Sequence, residues 1–561
     1  MSCQRALLWS VQLDMMRPEV SESSESVTAD GEAELVALAL GLGAGARGGA
    51  GGLGALSAGE LALVRAARAR GLTARAQVAA AQAAIDAGED PLGEAFCRLR
   101  SPVVRRPSGA TYTPLPIVRA MVDWAAEQGA PTRVVDPGAG SGRFVVEAGR
   151  RFPRARLIAV ELDPLAALLT RAHLQAAGLG GRAEVRVEDY RDTRLPAGGR
   201  TLYIGNPPYV RHHGVAQRWK DWLTRTAAER GHPASQLSGL HVHFFLATAQ
   251  QAAPGDVGVF ITAAEWLDVN YGALVRRLLL DGLGGSAVHV IEPTAAAFPD
   301  AATTAAITCF EVGAQPTSMR LRRVAQADEL GDLGGGRVVA RERLHAAPRW
   351  TPLTRATRKA PAGWVELGEL CRVHRGQVTG ANDFWIADGE RDAGLPAALL
   401  TPTVTRAREL YAAGRALRDA AALRRIIELP EDLDELSTAV RRLVDKLLAR
   451  GRAAGVHEGY VAKQRRSWWS VKLREPAPIL ATYMARRAPG FVRNLCGARH
   501  INIAHGIYPR QKMTVAELDA LAAHLVQHST LEGGRTYAGG LTKFEPREME
   551  RLLVPGPGLL G

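Results

Sequence analysis

The stretch Arg133-Val134-Val135-Asp136-Pro137-Gly138-Ala139-Gly140-Ser141-Gly142 decides the fold of this chain. Its first residues predict a short buried strand, and its glycines predict a tight turn that opens a helix over residues 144–151. Glycines at such a turn let a ligand approach the backbone closely. The run fits the dinucleotide-binding fingerprint G-x-G-x-x-G imperfectly, so the strands that follow must decide between a ligand site and a plain turn.

Two further predicted strands end in acidic residues. The strand over residues 157–160 is followed by Glu161, about 20 residues after the glycine turn, where an α/β fold places a carboxylate on ribose hydroxyls. The strand over residues 183–187 ends beside Asp189, a candidate to hold the amino group of an adenine ring. Strands and helices alternate from residue 133 to 312, which predicts a parallel-rich sheet with ligands at the carboxyl ends of its strands.

The tetrapeptide Asn206-Pro207-Pro208-Tyr209 follows an apolar run that predicts another strand. At a strand end, the Asn206 side-chain oxygen and the Pro207 carbonyl can both accept hydrogen bonds from one exocyclic NH2 group, while the Tyr209 ring stacks on the heterocycle. Two acceptors favour the pyramidal nitrogen of a transition state, so the tetrapeptide predicts a site for a reacting planar amine. The alternative is an X-Pro-Pro turn that closes a strand.

In chain order, these motifs resemble the S-adenosylmethionine-dependent amino DNA methyltransferases that modify adenine at N6, in their gamma-type group. The resemblance implies a Rossmann-like class I methyltransferase domain with S-adenosylmethionine as cofactor. It implies that the glycine turn holds the methionine part of the cofactor, that Glu161 binds its ribose, and that the tetrapeptide Asn206 to Tyr209 receives the flipped base. The residues of the turn that this assigns to the cofactor are Asp136, Gly138, Gly140 and Gly142.

Other segments extend the resemblance. Residues 110–114 match the upstream cofactor motif, which assigns Tyr112, Thr113 and Pro114 to the cofactor. Residues 262–272 match a later strand, loop and helix, which makes Tyr271 the second aromatic face against the target base. Residues 367–384 and 478–502 resemble the target-recognition domain of the same group.

We therefore predict an α/β chain in four parts. A leader and helical segment, partly disordered, covers residues 1–85; its acidic serine-rich and glycine-rich stretches predict loose order, and residues 61–85 predict a helix. The Rossmann-like methyltransferase domain covers 86–315, and a connection covers 316–359. A C-terminal α/β target-recognition domain covers 360–561.

The basic composition is typical of chains with a polyanionic partner, and a genomic bias towards GC-rich codons is the alternative. The 561 residues include 70 Lys and Arg against 57 Asp and Glu, a formal net charge of +13. Between residues 441 and 500, basic residues alternate with Trp468, Trp469 and Tyr483, which suits DNA phosphates and bases; a solvated helix surface is the alternative.

The cysteine pattern predicts no metal site. The five cysteines are scattered without zinc spacing, which predicts a reduced cytoplasmic chain. The first 20 residues lack the apolar core of a signal peptide, and no stretch is predicted to span a membrane.

The resemblance implies a site-specific methyltransferase acting on N6 of a flipped adenine in double-stranded DNA. Its setting would be a restriction-modification or phage-defence system, with a cognate restriction nuclease or other defence subunits as partners. Transfer to cytosine N4, RNA or a protein glutamine stays open, as do a restriction enzyme with both activities on one chain and a partner-dependent DNA-binding subunit. Arg375 and Asn382 are candidates to read base edges, with turn stabilisation as the alternative for Asn382.

Overall fold

The structure is a computed structural model that describes residues 22–45, 52–71, 75–105, 109, 112–291, 304–324, 330–354, 361–390, 392, 394–531, 534–537 and 541–560. The chain divides into two compact units, the first ending at Thr357 and the second beginning at Arg358. In the described part of the chain, no helix is both long enough and apolar enough to cross a lipid bilayer.

The first unit is built on one nine-stranded sheet. Its strands are β1 (Arg133–Pro137), β2 (Arg156–Glu161), β3 (Ala183–Val187), β4 (Thr201–Gly205), β5 (Val257–Ala263), β6 (Gly285–Ile291), β7 (Ala305–Glu311), β8 (Ser318–Val324) and β9 (Arg337–Ala340). The strand order is β3-β2-β1-β4-β5-β7-β6-β8-β9. The first five strands of this order run parallel, and β7 lies antiparallel between β5 and β6. This topology confirms the predicted Rossmann-like class I methyltransferase fold.

Helices cover both faces of this sheet. Those of the first unit are α1 (Glu22–Gly41), α2 (Ala58–Ala69), α3 (Arg75–Asp86), α4 (Pro91–Leu99), α5 (Pro102–Arg105), α6 (Leu115–Glu127), α7 (Arg143–Arg151), α8 (Pro164–Ala176), α9 (Gln217–Glu229), α10 (Leu240–Gln251), α11 (Ala273–Leu280) and α12 (Arg341–Ala346). Alternate residues of a strand point to opposite faces, so Val134 packs with α6 and α7 while Val135 packs with α9 and α10. The two apolar layers cover the faces of the sheet, so the loops that follow β1 to β5 lie at the carboxyl ends of these strands.

The predicted connection over residues 316–359 is wrong in part. Strands β8 and β9 lie in this range and extend the main sheet, with β8 parallel to β6 and β9 antiparallel to β8. Met319 and Leu321 are buried on one face of the sheet, whereas Arg320 is exposed on the other. The many charged residues of this segment mark the solvent side of an outer strand pair, and they concealed the alternation of a half-buried strand.

The N-terminal segment is more ordered than its composition predicts. Helix α1 covers most of the stretch that we expected to be a loose acidic leader, and the helix expected over residues 61–85 is two helices, α2 and α3. Buried residues of α1, including Val36 and Ala39, pack with Leu168 and Leu169 of α8. Part of the predicted low-complexity stretch, residues 46–51, lies outside the described residues, as do residues 1–21.

A buried ion pair fastens this segment to the sheet. The Arg171 Nε atom lies 2.6 Å from Glu60 Oε1, and both side chains are at most 1% exposed. The guanidinium group also donates to the carbonyls of Leu53 (2.6 Å) and Val185 (3.1 Å), while the Val185 amide donates to the Leu53 carbonyl (3.1 Å). The edge strand β3 is thereby covered by the chain that precedes α2.

The second unit combines small sheets with short helices. Its strands are β10 (Trp364–Glu366), β11 (Cys371–Arg375), β12 (Leu400–Val404), β13 (Ala416–Leu417), β14 (Arg425–Ile427), β15 (Ile479–Thr482), β16 (Met484–Ala485), β17 (Phe491–Asn494), β18 (Arg499–His500), β19 (Ala504–Pro509), β20 (Arg535–Tyr537), β21 (Leu541–Lys543) and β22 (Leu553–Pro555). Its helices are α13 (Leu367–Leu370), α14 (Asn382–Trp385), α15 (Ala407–Ala413), α16 (Thr438–Ala453), α17 (Tyr460–Lys463), α18 (Val515–His528) and α19 (Pro546–Met549). The largest sheet has the order β11-β19-β15-β17-β13.

The two tryptophans of the basic stretch contribute to a hydrophobic cluster of this unit. Trp468 and Trp469 are half-buried and pack against the cluster that contains Trp385 and Val471, and the Trp469 indole donates to the Pro430 carbonyl (3.1 Å). The cluster therefore shields part of each ring, and a contact of either ring with DNA stays a prediction.

Candidate functional site

The glycine turn after β1 has the backbone conformation that its sequence predicts. Gly138, Gly140 and Gly142 all have positive φ values, of 81°, 60° and 86°. A Cβ atom at Gly138 would lie 3.4 Å from Pro208 Cδ, and one at Gly140 would lie 3.6 Å from the Tyr112 hydroxyl. The turn thus brings three of the predicted motifs together, and a left-handed backbone at Gly138 and Gly140 disfavours any residue with a side chain.

Asp136 lies beneath this turn and is fully buried. Its Oδ2 atom accepts a hydrogen bond from the Val145 amide in the first turn of α7 (3.2 Å), whereas Oδ1 has no partner among the described residues. Burial raises the pKa of Asp136 well above its ordinary value. A buried carboxylate oxygen that lacks a donor fits a site that gains one from a ligand.

Glu161 connects the second strand end to the glycine turn. Its Oε2 atom accepts from the Gly140 amide (2.8 Å), and its Oε1 atom accepts from the amides of Leu162 (2.8 Å) and Asp163 (2.9 Å). Burial raises the pKa of Glu161, although these hydrogen bonds act against that rise. The carboxylate therefore fixes two loops relative to each other at the predicted ribose position.

Asp189 follows β3, as predicted, but its carboxylate is engaged within the chain. Arg191 pairs with it through Nε (2.8 Å to Oδ1) and Nη2 (2.6 Å to Oδ2), and the guanidinium stacks on Trp219 at 3.8 Å from the ring centroid. The structure thus places Asp189 at the expected strand end within a bidentate ion pair. Its role toward an adenine amino group stays a prediction.

The tetrapeptide Asn206 to Tyr209 leaves β4 directly beside the glycine turn. The Asn206 Nδ2 atom donates to Thr113 Oγ1 (3.0 Å), so the side-chain amide is held at its nitrogen end. The Tyr209 amide donates to the Gly109 carbonyl (3.0 Å), and the shielded Tyr209 hydroxyl has no partner among the described residues. Burial raises the pKa of Tyr209, which keeps the phenol neutral.

The upstream motif lies between the glycine turn and the tetrapeptide. The Tyr112 ring packs beside Gly140, and its shielded hydroxyl has no partner among the described residues. Thr113 is buried and Pro114 caps α6, so the motif joins a helix start to the site. The remaining predicted residue, Tyr271, is half-buried in the loop after β5, where its hydroxyl donates to Glu265 Oε2 (2.7 Å).

Sequence reasoning missed two residues that contact these motifs. Asp90 caps the N-terminus of α4 and receives hydrogen bonds from Ser141 Oγ (2.5 Å) and Arg143 Nε (2.9 Å). Arg143 also donates to the Thr113 carbonyl (2.7 Å). No local pattern in the sequence connects Asp90 to a glycine turn some 50 residues later.

No metal cluster is found in the described part of the chain, where no group of three or more His, Cys, Asp or Glu residues is placed to hold an ion. His241 and His243 are both buried on α10, and burial lowers their pKa values to about 4 and about 3. Both imidazoles are therefore neutral at physiological pH.

In the second unit, a basic cleft of about 620 Å³ opens along β11 and β19. We define the basic cleft by the residues that line it, which are Arg372, His374, Arg474, Glu475, Tyr508, Pro509 and Arg510. Of the two predicted base readers, Arg375 is exposed on β11, whereas Asn382 accepts a hydrogen bond from Thr379 Oγ1 (2.5 Å) in the turn that starts α14. The turn-stabilising alternative therefore describes the contact that Asn382 makes.

Several known proteins are similar to this chain, among them type II methyltransferases. Residues 353–559 match the family described as "Type II methyltransferase M.Eco57I, C-terminal domain". The chain is 54% identical over 467 residues to the Type II methyltransferase M.XamI of Xanthomonas campestris pv. amaranthicola, covering 83% of this chain and 87% of the relative. It is 20% identical over 470 residues to the Type II methyltransferase M.AccI of Acinetobacter calcoaceticus, covering 80% and 85%. A solved structure, the Type IIL restriction-modification enzyme MmeI in complex with DNA, is 13% identical with a TM-score of 0.49, covering 81% of this chain and 69% of that one.

Proposed function

This chain belongs to the type II DNA methyltransferases of restriction-modification systems, and we propose that it transfers a methyl group from S-adenosylmethionine to N6 of an adenine flipped out of duplex DNA. The observation that carries the proposal is the position of Asn206 to Tyr209 against the glycine turn, where Pro208 lies next to Gly138. A planar amine held by the tetrapeptide would face a cofactor held by the turn.

The residues around the glycine turn fit the cofactor. Asp136 Oδ1 and the Tyr112 hydroxyl are shielded polar atoms without partners among the described residues, and Gly205 lies beside the first and Gly140 beside the second. We assign the methionine part to the turn and Tyr112, and the ribose to Glu161. When bound, S-adenosylmethionine supplies a methyl group on a sulfonium. The chain's task is to position an acceptor nitrogen in line with that bond.

Asn206 and Pro207 polarise the acceptor nitrogen. Because Nδ2 of Asn206 donates to Thr113, the amide oxygen at the other end of the group is the acceptor that we assign to the target NH2 group, together with the Pro207 carbonyl. Both acceptors interact most strongly with the pyramidal nitrogen of the transition state. The proton can leave after methylation, when the nitrogen has become acidic, so Asn206 needs no role as a base.

Tyr209 and Tyr271 are the two aromatic faces of the base pocket. Extrusion of the base costs a few kcal/mol of lost stacking, and stacking on these rings would offset part of that cost. The neutral Tyr209 phenol keeps negative charge away from the aromatic face.

A cytoplasmic location suits this activity, and the described cysteines, Cys97, Cys309, Cys371 and Cys496, form no disulfide with one another.

The test uses DNA from cells that express the chain alone, analysed by long-read detection of modified bases and by mass spectrometry of nucleosides. We expect N6-methyladenine within a single sequence motif. Asn206→Ala should lower kcat by about 100- to 1000-fold while cofactor binding persists. Asn206→Asp, which keeps an acceptor oxygen, should retain more activity than Asn206→Ala.

Four other results would change the proposal. N4-methylcytosine in place of N6-methyladenine would overturn the adenine assignment. The target would still be a planar exocyclic amine held by the tetrapeptide. Near-full activity of Asn206→Ala would overturn the role of the tetrapeptide. Metal-dependent cleavage of DNA by the purified chain would show a bifunctional restriction enzyme. Unmodified DNA despite cofactor binding would overturn the proposal for the isolated chain.

A further inference from the structure

Helix α4 lies outside the predicted motifs, yet residues at both of its ends contact them. Asp90 is the N-cap of the helix and accepts from the Gly93 amide (2.8 Å). Arg100 follows its last turn. Between them, Leu92 and Phe96 are buried against residues of α8, so the helix cannot shift without disturbing this cluster.

The N-terminal end reaches the catalytic amide by consecutive contacts. The fully buried Asp90 carboxylate binds Arg143 Nε (2.9 Å) and Ser141 Oγ (2.5 Å). Arg143 uses a second nitrogen, Nη1, to bind the Thr113 carbonyl (2.7 Å), and Thr113 Oγ1 binds Asn206 Nδ2 (3.0 Å). A rigid guanidinium that spans two acceptors fixes the distance between them, which a lysine ammonium cannot do.

The C-terminal end of α4 contacts the loop after β2, which carries the predicted ribose-binding residue Glu161. Arg100 Nη1 lies 2.5 Å from Asp163 Oδ2, and its Nε and Nη2 atoms each lie 2.8 Å from Glu32 Oε1 on α1. Asp163 caps α8, and its amide donates to Glu161 (2.9 Å). Arg100 therefore supports the loop that presents the Glu161 carboxylate.

We infer that α4 is a clamp that positions the methyl-transfer site through two separate routes. Asp90 and Arg143 hold the Asn206 amide through Thr113, and Arg100 holds the Glu161 loop through Asp163. Asp90, Arg143 and Arg100 are positioning residues, since each acts through another residue. The inference rests on the proposed function, because it assigns these routes to the amide that receives the base and to the carboxylate that receives the ribose.

The two routes predict different kinetic defects. Arg143→Lys keeps a positive charge beside Asp90 but cannot also reach Thr113, so we expect kcat at saturating cofactor to fall by about 10- to 100-fold. Arg100→Lys should raise the cofactor Kd by about tenfold and leave kcat at saturating cofactor within about twofold. Arg156→Lys is the matched control, since Arg156 pairs with Glu184 (2.9 Å) at the opposite end of β2 and should change neither value.

A double-mutant cycle tests whether Arg143 acts through Thr113. If it does, Thr113→Val combined with Arg143→Lys should be no slower than the slower single variant. Calorimetry with S-adenosylhomocysteine gives the cofactor-site affinities independently of methylation. Multiplicative defects in the cycle, or the same defect in Arg143→Lys and Arg100→Lys, would overturn the clamp. An intact chain that binds the cofactor analogue but leaves DNA unmethylated would refute the proposed function, whereas an unchanged Kd of Arg100→Lys would refute the clamp.

Discussion

At the scale of single residues, the carboxylate of Glu161 is held entirely by backbone amides in the described part of the chain. Three backbone amides donate to it, from Gly140, Leu162 and Asp163, at distances of 2.8 to 2.9 Å. Both oxygens are needed for these contacts. The charged form is therefore the one that holds the two loops in place, although burial raises the pKa of Glu161.

This conflict predicts a pH dependence of cofactor affinity. As the pH falls through the raised pKa of Glu161, its carboxyl gains a proton at a pH at which an ordinary glutamate is still charged, and an oxygen that carries the proton no longer accepts a backbone hydrogen bond. Cofactor Kd should rise in that window. Calorimetric titrations of the intact chain with S-adenosylhomocysteine across the acidic range measure it.

Glu161→Gln is the matched variant for that experiment. Its amide has one acceptor oxygen, so we expect a Kd about tenfold higher at neutral pH and a weaker dependence on pH. Asp136, whose pKa is raised by burial as well, supplies the remaining dependence. An affinity of the intact chain that stays constant down to the ordinary glutamate range would contradict this prediction.

At the scale of elements, the sequence predicted the features that depend only on residues close together in the chain. The strand, glycine turn and helix from Arg133 onward are short-range, and so is the tetrapeptide after β4; both lie where the sequence puts them. Strands β8 and β9 were missed because their solvent face is charged, and α1 was missed because an acidic, serine-rich composition conceals an apolar face. The contact of Asp90 with Arg143 joins residues that no local pattern connects.

The ion pair between Arg171 and Glu60 gives the element-scale prediction. Arg171→Met leaves the Glu60 carboxylate buried without its partner, which should lower the free energy of unfolding of the first unit by about 3–5 kcal/mol. Urea unfolding followed by tryptophan fluorescence measures the loss. Arg171→Met combined with Glu60→Gln should recover the part due to the buried charge.

The control for this experiment is Arg156→Met, which breaks the solvent-exposed pair with Glu184. It should cost at most about 1 kcal/mol, because exposed ion pairs contribute little. A loss in Arg171→Met no larger than in this control would mean that the N-terminal segment is not held by the buried pair.

At the scale of the whole molecule, the chain carries a formal net charge of +13. Part of this positive charge lies in the basic cleft of the second unit. Arg372, Arg474 and Arg510 line the cleft, and its one acidic residue, Glu475, is paired with Arg499 (3.0 Å). No ion pair of these three arginines is found within the described part of the chain, and such guanidinium groups are suited to phosphates, which supply affinity and register rather than sequence specificity.

We therefore expect the Arg372→Ala/Arg474→Ala variant to bind DNA more weakly on every sequence. The slope of log affinity against log salt concentration should fall by about 2, since each lost phosphate contact removes about 0.9. Fluorescence anisotropy with cognate and unrelated duplexes at several salt concentrations measures both effects.

Arg441→Ala provides the comparison, because Asp434 and Asp445 already neutralise this guanidinium at 2.9 Å each. It should leave the slope unchanged. Should the cleft variant keep the intact slope, the phosphates must lie elsewhere on the chain. Should it lose binding to the cognate duplex alone, the arginines read bases instead.

The cover over β3 has a consequence for how this protein avoids misassembly. An outer strand with unsatisfied backbone groups is a template on which a second chain can add, and natural proteins block such edges. Here the Leu53 carbonyl and the Arg171 guanidinium occupy both backbone groups of Val185. A chain shortened to its catalytic motifs would uncover this strand together with the apolar face of α8. We expect such a fragment to self-associate through the uncovered strand and helix face.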